Sequence, residues 1–100
     1  MPAKVVEIHP EAAEETEAAI AWYLERSLST AQTFAVAVRA ALRTVAQTPK
    51  RWALFEAGAR RYLLRDFPYA VIYRETGIIV QVLAIAHLRR RPGYWRTRTF

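Results

Sequence analysis

The residues able to do chemistry cluster at the end of the most apolar run in the chain. Ile78 to Ala86 is a nine-residue stretch with one polar side chain, Gln81. His87, Arg89, Arg90, Arg91, Tyr94 and Trp95 follow at once. A strand that buries itself and stops at such a set holds reactive groups still at a surface. Histidine carries protons near neutral pH. Arginine stabilises charge growing on a phosphate, and tyrosine donates a proton or stacks on a base. His87, Arg89 and Tyr94 are therefore the candidate catalytic residues for a metal-free cleavage of RNA, in which the RNA's own 2′-OH attacks the adjacent phosphate. Arg61 and Arg65 on the preceding strand could add phosphate contacts. The same cluster also reads as a binding surface alone, with His87 a satisfied residue at the edge of the core.

Other chemistries find little support. The chain has no Cys, two His and three Gly. There is no HExxH or CxxC and no His/Cys/acid cluster at ligand spacing, so no metal is expected. A glycine-rich phosphate loop is missing, so no nucleotide cofactor is expected either. No Ser-His-Asp set is readable. Glu11, Glu14, Glu15 and Glu17 crowd the start of a helix and read as a solvated face matched to the helix dipole. His9, before Pro10, reads as a structural cap or a solvated residue.

The net charge of +6 is unevenly placed. Residues 1–50 hold five Lys/Arg and six Glu, whereas residues 51–100 hold ten Arg, no Lys and three acids. Arginine's planar fork matches carboxylate and phosphate, so this half points to an anionic partner, either nucleic acid or an acidic protein. Arg60, Arg61, Arg65, Arg90, Arg91 and Trp95 are the candidate binding residues. An arginine-rich composition also follows from a GC-rich genome, which the abundant Ala supports. Met1 to Lys4 lacks the apolar run of a signal peptide. No window approaches the ~20 apolar residues of a membrane span. With no Cys, the expectation is a cytoplasmic protein and no membrane partner.

One hundred residues with 53% apolar side chains make a single domain, 1–100, with a real core. Ala3–Ile8 reads as a short strand, and Pro10 opens a helix to about Arg26 with a stripe of Ala12, Ala13, Thr16, Ala19, Ile20 and Tyr23. Ser27-Leu28-Ser29-Thr30 breaks it, and a second helix runs to about Thr48. Residues 50–59 read as a loop. Strands follow at Arg60–Arg65, Tyr69–Arg74 and Ile78–Ala86, with a hairpin at Glu75-Thr76-Gly77. The last strand does not alternate, which makes it central and buried on both faces. The order β-α-α-β-β-β predicts an α+β fold: a mostly antiparallel four-stranded sheet with an antiparallel helix pair on one face. The opposite face need not be covered and is the natural place for a site.

Phe67-Pro68-Tyr69 with Tyr73 gives an FPYxxxY pattern, and Ala84 to Trp95 gives AxxHxxRxPxYW. With His9-Pro10-Glu11-Ala12 after a short strand, these resemble the RelE/ParE superfamily of type II toxin–antitoxin toxins, in the branch often labelled plasmid stabilisation proteins. The likeness spans most of the chain in element order, and its specific motifs lie in roughly the last 40 residues. It implies a cytoplasmic toxin neutralised in a hetero-oligomer by a cognate antitoxin, whose acidic C-terminal segment wraps the basic surface. It leaves two activities open: an mRNA interferase that cuts messages on the ribosome, or a non-enzymatic inhibitor of DNA gyrase. A relic serving mainly in an antitoxin repressor complex is a third. Arg89 matches the catalytic Arg that RelE-like enzymes keep after the last strand, Tyr94 lies near their C-terminal Tyr, and His87 matches a His used by some relatives. Ala70 stands where those enzymes carry a second catalytic Arg. Their Lys pair is absent, with Arg60 and Arg61 in its place.

Overall fold

The computed structural model describes residues 2–100. The chain forms β1 (Val5–Ile8), α1 (Pro10–Leu24), α2 (Leu28–Gln47), β2 (Arg60–Leu63), β3 (Tyr69–Thr76) and β4 (Ile79–His87). Both helices begin on capping side chains. His9 Nδ1 accepts the Glu11 N–H at 3.0 Å, and Pro10 fills the first helical position. His9 is thus the structural cap, 9% exposed. Ser27 Oγ accepts the Thr30 N–H at 3.2 Å, so the inter-helix break is narrower than expected.

The strands lie in the order β1-β4-β3-β2. β3 pairs antiparallel with β2 and β4, while β1 runs parallel along the other side of β4. The sheet is mostly antiparallel and β4 is central, as its unbroken apolar run requires. The hairpin turn falls one residue later than expected. Thr76 faces Ile79 across Gly77-Ile78, and Gly77 takes a φ of +58° that favours glycine. The last strand extends through His87, whereas β2 stops at Leu63 rather than Arg65.

A β-bulge decides where the chemistry points. Ile72 faces Ala84 while Tyr73 faces Val82, leaving Leu83 as the extra residue. Side-chain parity therefore flips within β4. Val80 and Val82 join the core under the helices, and so does Ile85 beyond the bulge. Ala84 and Ala86 face the other way. His87, opposite Tyr69, consequently sits on the helix side of the sheet.

The helix-side core is built on Phe34, Val38, Val45, Val71, Tyr73 and Val80. Tyr23, Phe34, Phe67 and Tyr69 add tilted and edge-on aromatic contacts with centroids 5.1–5.4 Å apart. The second face, which need not have been covered, is covered. Trp95 of the tail, with Ala59 and Phe55 of the 50s loop, packs on Ala70, Ile72, Leu83 and Ala84 and closes that face. Apolar side chains on both sheet faces demand two covers, and the aromatic tail is the second.

Candidate functional site

β4 outruns β1, and that mismatch creates the site. His9 N–H bonds Val82 C=O at 3.0 Å, after which the chain leaves the sheet as α1. The remaining edge of β4 still presents backbone groups that need partners. Side chains supply them. Arg98 Nη1 donates to Leu83 C=O at 3.0 Å, and Glu15 Oε1 accepts Ile85 N–H at 3.0 Å.

Glu15 is thereby the hub of the tail. Oε1 also accepts Arg98 Nη1 at 3.0 Å. Oε2 accepts Arg98 Nη2 at 2.9 Å, the Tyr94 hydroxyl at 2.6 Å and Arg90 Nη1 at 3.2 Å. The Glu15 and Arg98 side chains are only 14% and 9% exposed. The expectation that the α1 carboxylates form a solvated face fails at Glu15. Its position carried the signal: Glu15 lies three residues after Ala12 and four before Ala19, on the buried stripe. Nothing in the sequence pattern picks out Arg98 from the other tail arginines.

The candidate catalytic residues fall into three different surroundings. The Tyr94 hydroxyl donates a hydrogen bond to Glu15. Burial, then the hydrogen bond and negative charge of Glu15, push its pKa well above the ordinary tyrosine range, against the pull of Arg90 and Arg98. His87 Nδ1 accepts the Arg89 N–H at 3.0 Å, and its ring stands edge-on to Tyr69 with centroids 5.0 Å apart. The Arg89 side chain is exposed on the turn after β4. Among the described residues no side-chain hydrogen bond links the three.

His87 does border a cleft of ≈ 420 Å³ between α1 and the end of the β3–β4 pair, with Glu15, Ala18, Trp22, Tyr69 and Arg90 on its walls. Its small α1 residues, Ala18 and Ala19, leave the room, and Trp22, Tyr23 and Tyr69 give it aromatic walls. Burial raises the pKa of the two phenols beside it, Tyr23 and Tyr69, so both remain neutral donors at physiological pH.

The candidate binding residues divide in the same way. Arg60 ties the 50s loop to β2 by donating to Trp52 C=O at 2.6 Å. Arg90 is held by Glu15 and lies over the Tyr94 ring, 3.6 Å from its centroid. Trp95 is 1% exposed and offers no surface to a target. Arg61, Arg65, Arg89 and Arg91 are exposed, and among the described residues none is in an ion pair. Arg61 stacks on Phe55 at 4.3 Å from the centroid and shares a crevice with Arg91. Arg65 and Arg89 lie at the same end of the sheet, where Leu88 N–H bonds Pro68 C=O at 2.9 Å. Ala70 is buried and faces Ala86, so no basic group stands at that point of the hairpin.

No described helix is long and apolar enough to cross a membrane. Among solved structures the chain is similar to the chromosomal ParDE toxin–antitoxin system from P. aeruginosa. That match has a TM-score of 0.75 at 18% identity and covers 85% of this chain and 96% of that one. At that identity the likeness shows the fold. No curated protein matches the chain. The family model described as ParE toxin of type II toxin-antitoxin system, parDE, matches residues 6–92, which takes in β1 but for Val5, both helices, and β2 to β4. The chain belongs to the ParE toxin family of type II toxin–antitoxin systems.

Proposed function

We propose that this toxin acts by binding its target rather than by cutting RNA, that the target is DNA gyrase, and that a cognate antitoxin neutralises it. The observation that carries this reading is the Tyr94 hydroxyl, whose proton is committed to the buried Glu15 carboxylate. A general acid or base must reach the proton it moves, and this hydroxyl already donates to Glu15 at 2.6 Å. Ala70 adds to the argument, since the hairpin carries no cation at that position, opposite Ala86, to clamp a phosphate. The outward groups are Arg61, Arg65, Arg89 and Arg91, an arginine set that forms no ion pair among the described residues and suits an acidic protein surface. The same set offers an acidic antitoxin segment its charge complement.

Brief expression with parallel readings of message integrity, plasmid supercoiling and double-strand breaks tests the proposal. Intact messages with relaxed or broken DNA are expected, and His87→Ala and Tyr94→Phe should keep the effect. Codon-phased message cuts that vanish in His87→Ala and Arg89→Ala would overturn it.

A further inference from the structure

Five hydrogen bonds converge on the Glu15 carboxylate, and every donor comes from β4 or the tail. They are the Ile85 N–H, Arg90 Nη1, the Tyr94 hydroxyl, and Arg98 Nη1 and Nη2, at 2.6–3.2 Å. Glu11 adds a looser contact, with its Oε2 3.6 Å from Arg98 Nε. Two guanidinium groups, a phenol and a backbone amide aimed at one point make the kind of donor set that holds a free oxyanion. Arg98 presents its two terminal nitrogens to the two carboxylate oxygens, the end-on fork that suits carboxylate and phosphate alike.

We propose that Ile85, Arg90, Tyr94 and Arg98 form an oxyanion-binding site that the chain fills with its own Glu15, and that a free carboxylate or phosphate occupies the site once Glu15 is withdrawn. The donors do not depend on α1 for their own chain path. β3 pairing holds Ile85, the Leu88–Gly93 turn holds Arg90, and Trp95 anchors the tail on the far face of the sheet. Only the anion is delivered by α1. An entry path also exists, because Glu15 and Arg90 line the ≈ 420 Å³ cleft that opens beside the site. Truncating Glu15 would extend that cleft to the waiting donors.

Self-occupancy has a consequence for the basic end of the chain. Arg98 is withdrawn from any anionic target and Arg90, half-exposed, gives one terminal nitrogen to Glu15, while Arg89 and Arg91 stay outside. The Glu15 contact is therefore autoinhibitory toward anions at this site, and it seats the tail on α1.

The test uses the full chain carrying Glu15→Ala, titrated with sodium formate and separately with inorganic phosphate, with sodium chloride at matched ionic strength as control. The readouts are the melting temperature and the Trp95 indole resonance, which reports seating of the tail. Without added oxyanion the variant should melt lower than the wild type and show a displaced Trp95 signal. Formate or phosphate should restore both saturably, and the more effective of the two names the oxyanion class. The wild type should not respond. Glu15→Gln, which fills the space without charge, should fold but not respond. Glu15→Ala combined with Arg98→Ala should lose the response. A chloride effect equal to that of formate and phosphate, a response that survives Arg98→Ala, or no response at all overturns the proposal. If Glu15→Ala is unfolded in plain buffer, refolding driven by formate or phosphate supports the site, and failure of both to refold it overturns it.

Discussion

Glu15 Oε2 accepts the Tyr94 hydroxyl at 2.6 Å, joining the first half of α1 to the tail across 79 positions of sequence. The contact fixes what Tyr94 can do. A phenol inside a ring of arginines and a carboxylate is a tether, and its proton is part of the fold.

Tyr94→Phe should cost about 1.5–3 kcal/mol at neutral pH, the range for a hydrogen bond to a charged group. The cost has a pH signature. The folded pKa of Tyr94 is raised above its ordinary value of 10.0, first by burial and then by Glu15. As pH climbs past the unfolded value, the unfolded chain gives up this proton and the folded chain keeps it, so the stability that Tyr94 contributes declines. The gap between wild type and Tyr94→Phe should therefore be full below about pH 9 and narrow above about pH 10, around the ordinary tyrosine value. Burial also raises Tyr23, Tyr69 and Tyr73, but these are common to both proteins and cancel. Urea unfolding at several pH values measures the gap. A gap that widens with alkalinity would contradict the assignment.

Trp95→Ala tests the closed second face. Trp95 is among the largest fully buried side chains, so truncation should cost about 3–5 kcal/mol, as for other buried aromatic residues. Trp95→Phe should recover much of that. The urea midpoint reports both. A Trp95→Ala protein as stable as the wild type would mean that the tail does not seal the sheet.

The element order, the helix pair and the central position of the last strand were all legible, because hydrophobic period and turn residues report local structure. The features that aim the chemistry were not. The Leu83 bulge turns His87 toward α1, yet a run with no alternation gives no sign of where parity flips. Trp95 looked like a surface aromatic because it follows three arginines and a Pro-Gly turn. Only the sheet it lands on makes it core. Glu15 was hidden by its neighbours: three other glutamates on the same helix fit the dipole argument, and burial singles out the fourth. Each miss concerns a long-range partner: spacing placed Glu15 on the buried stripe, but it does not encode which groups would meet it there.

Gly93 supplies a backbone prediction. Its φ is +80°, and a Cβ there would stand 2.6 Å from both Arg96 Nε and Glu56 Oε2. Gly93→Ala should cost about 1–2 kcal/mol from the left-handed backbone alone, plus whatever the displaced Arg96–Glu56 pair contributes. The turn delivers Tyr94 and Trp95 to opposite duties, so the variant should also speed hydrogen exchange at Trp95. Unchanged exchange and an unchanged melting temperature would show that the turn tolerates a side chain.

The basic residues of the tail should separate cleanly into two classes when each is replaced by Ala. Arg89 and Arg91 are exposed without ion pairs, so their removal should change stability by no more than about 0.5 kcal/mol, as at ordinary surface sites. Arg98 is the reverse. Its loss takes a two-nitrogen fork from the Glu15 carboxylate while Arg90, Tyr94 and Ile85 still hold it, a defect on the order of 1.5–3 kcal/mol. Function should sort the other way. Arg89→Ala with Arg91→Ala should relieve growth arrest on induction while the protein melts near the wild-type temperature. Binding that depends on such outward charges should also weaken as salt rises, because the pairs they form stay near solvent. Growth curves, thermal melts and target pull-downs at two salt concentrations carry the comparison. Full toxicity in the Arg89, Arg91 double variant would remove this end of the sheet from the target surface.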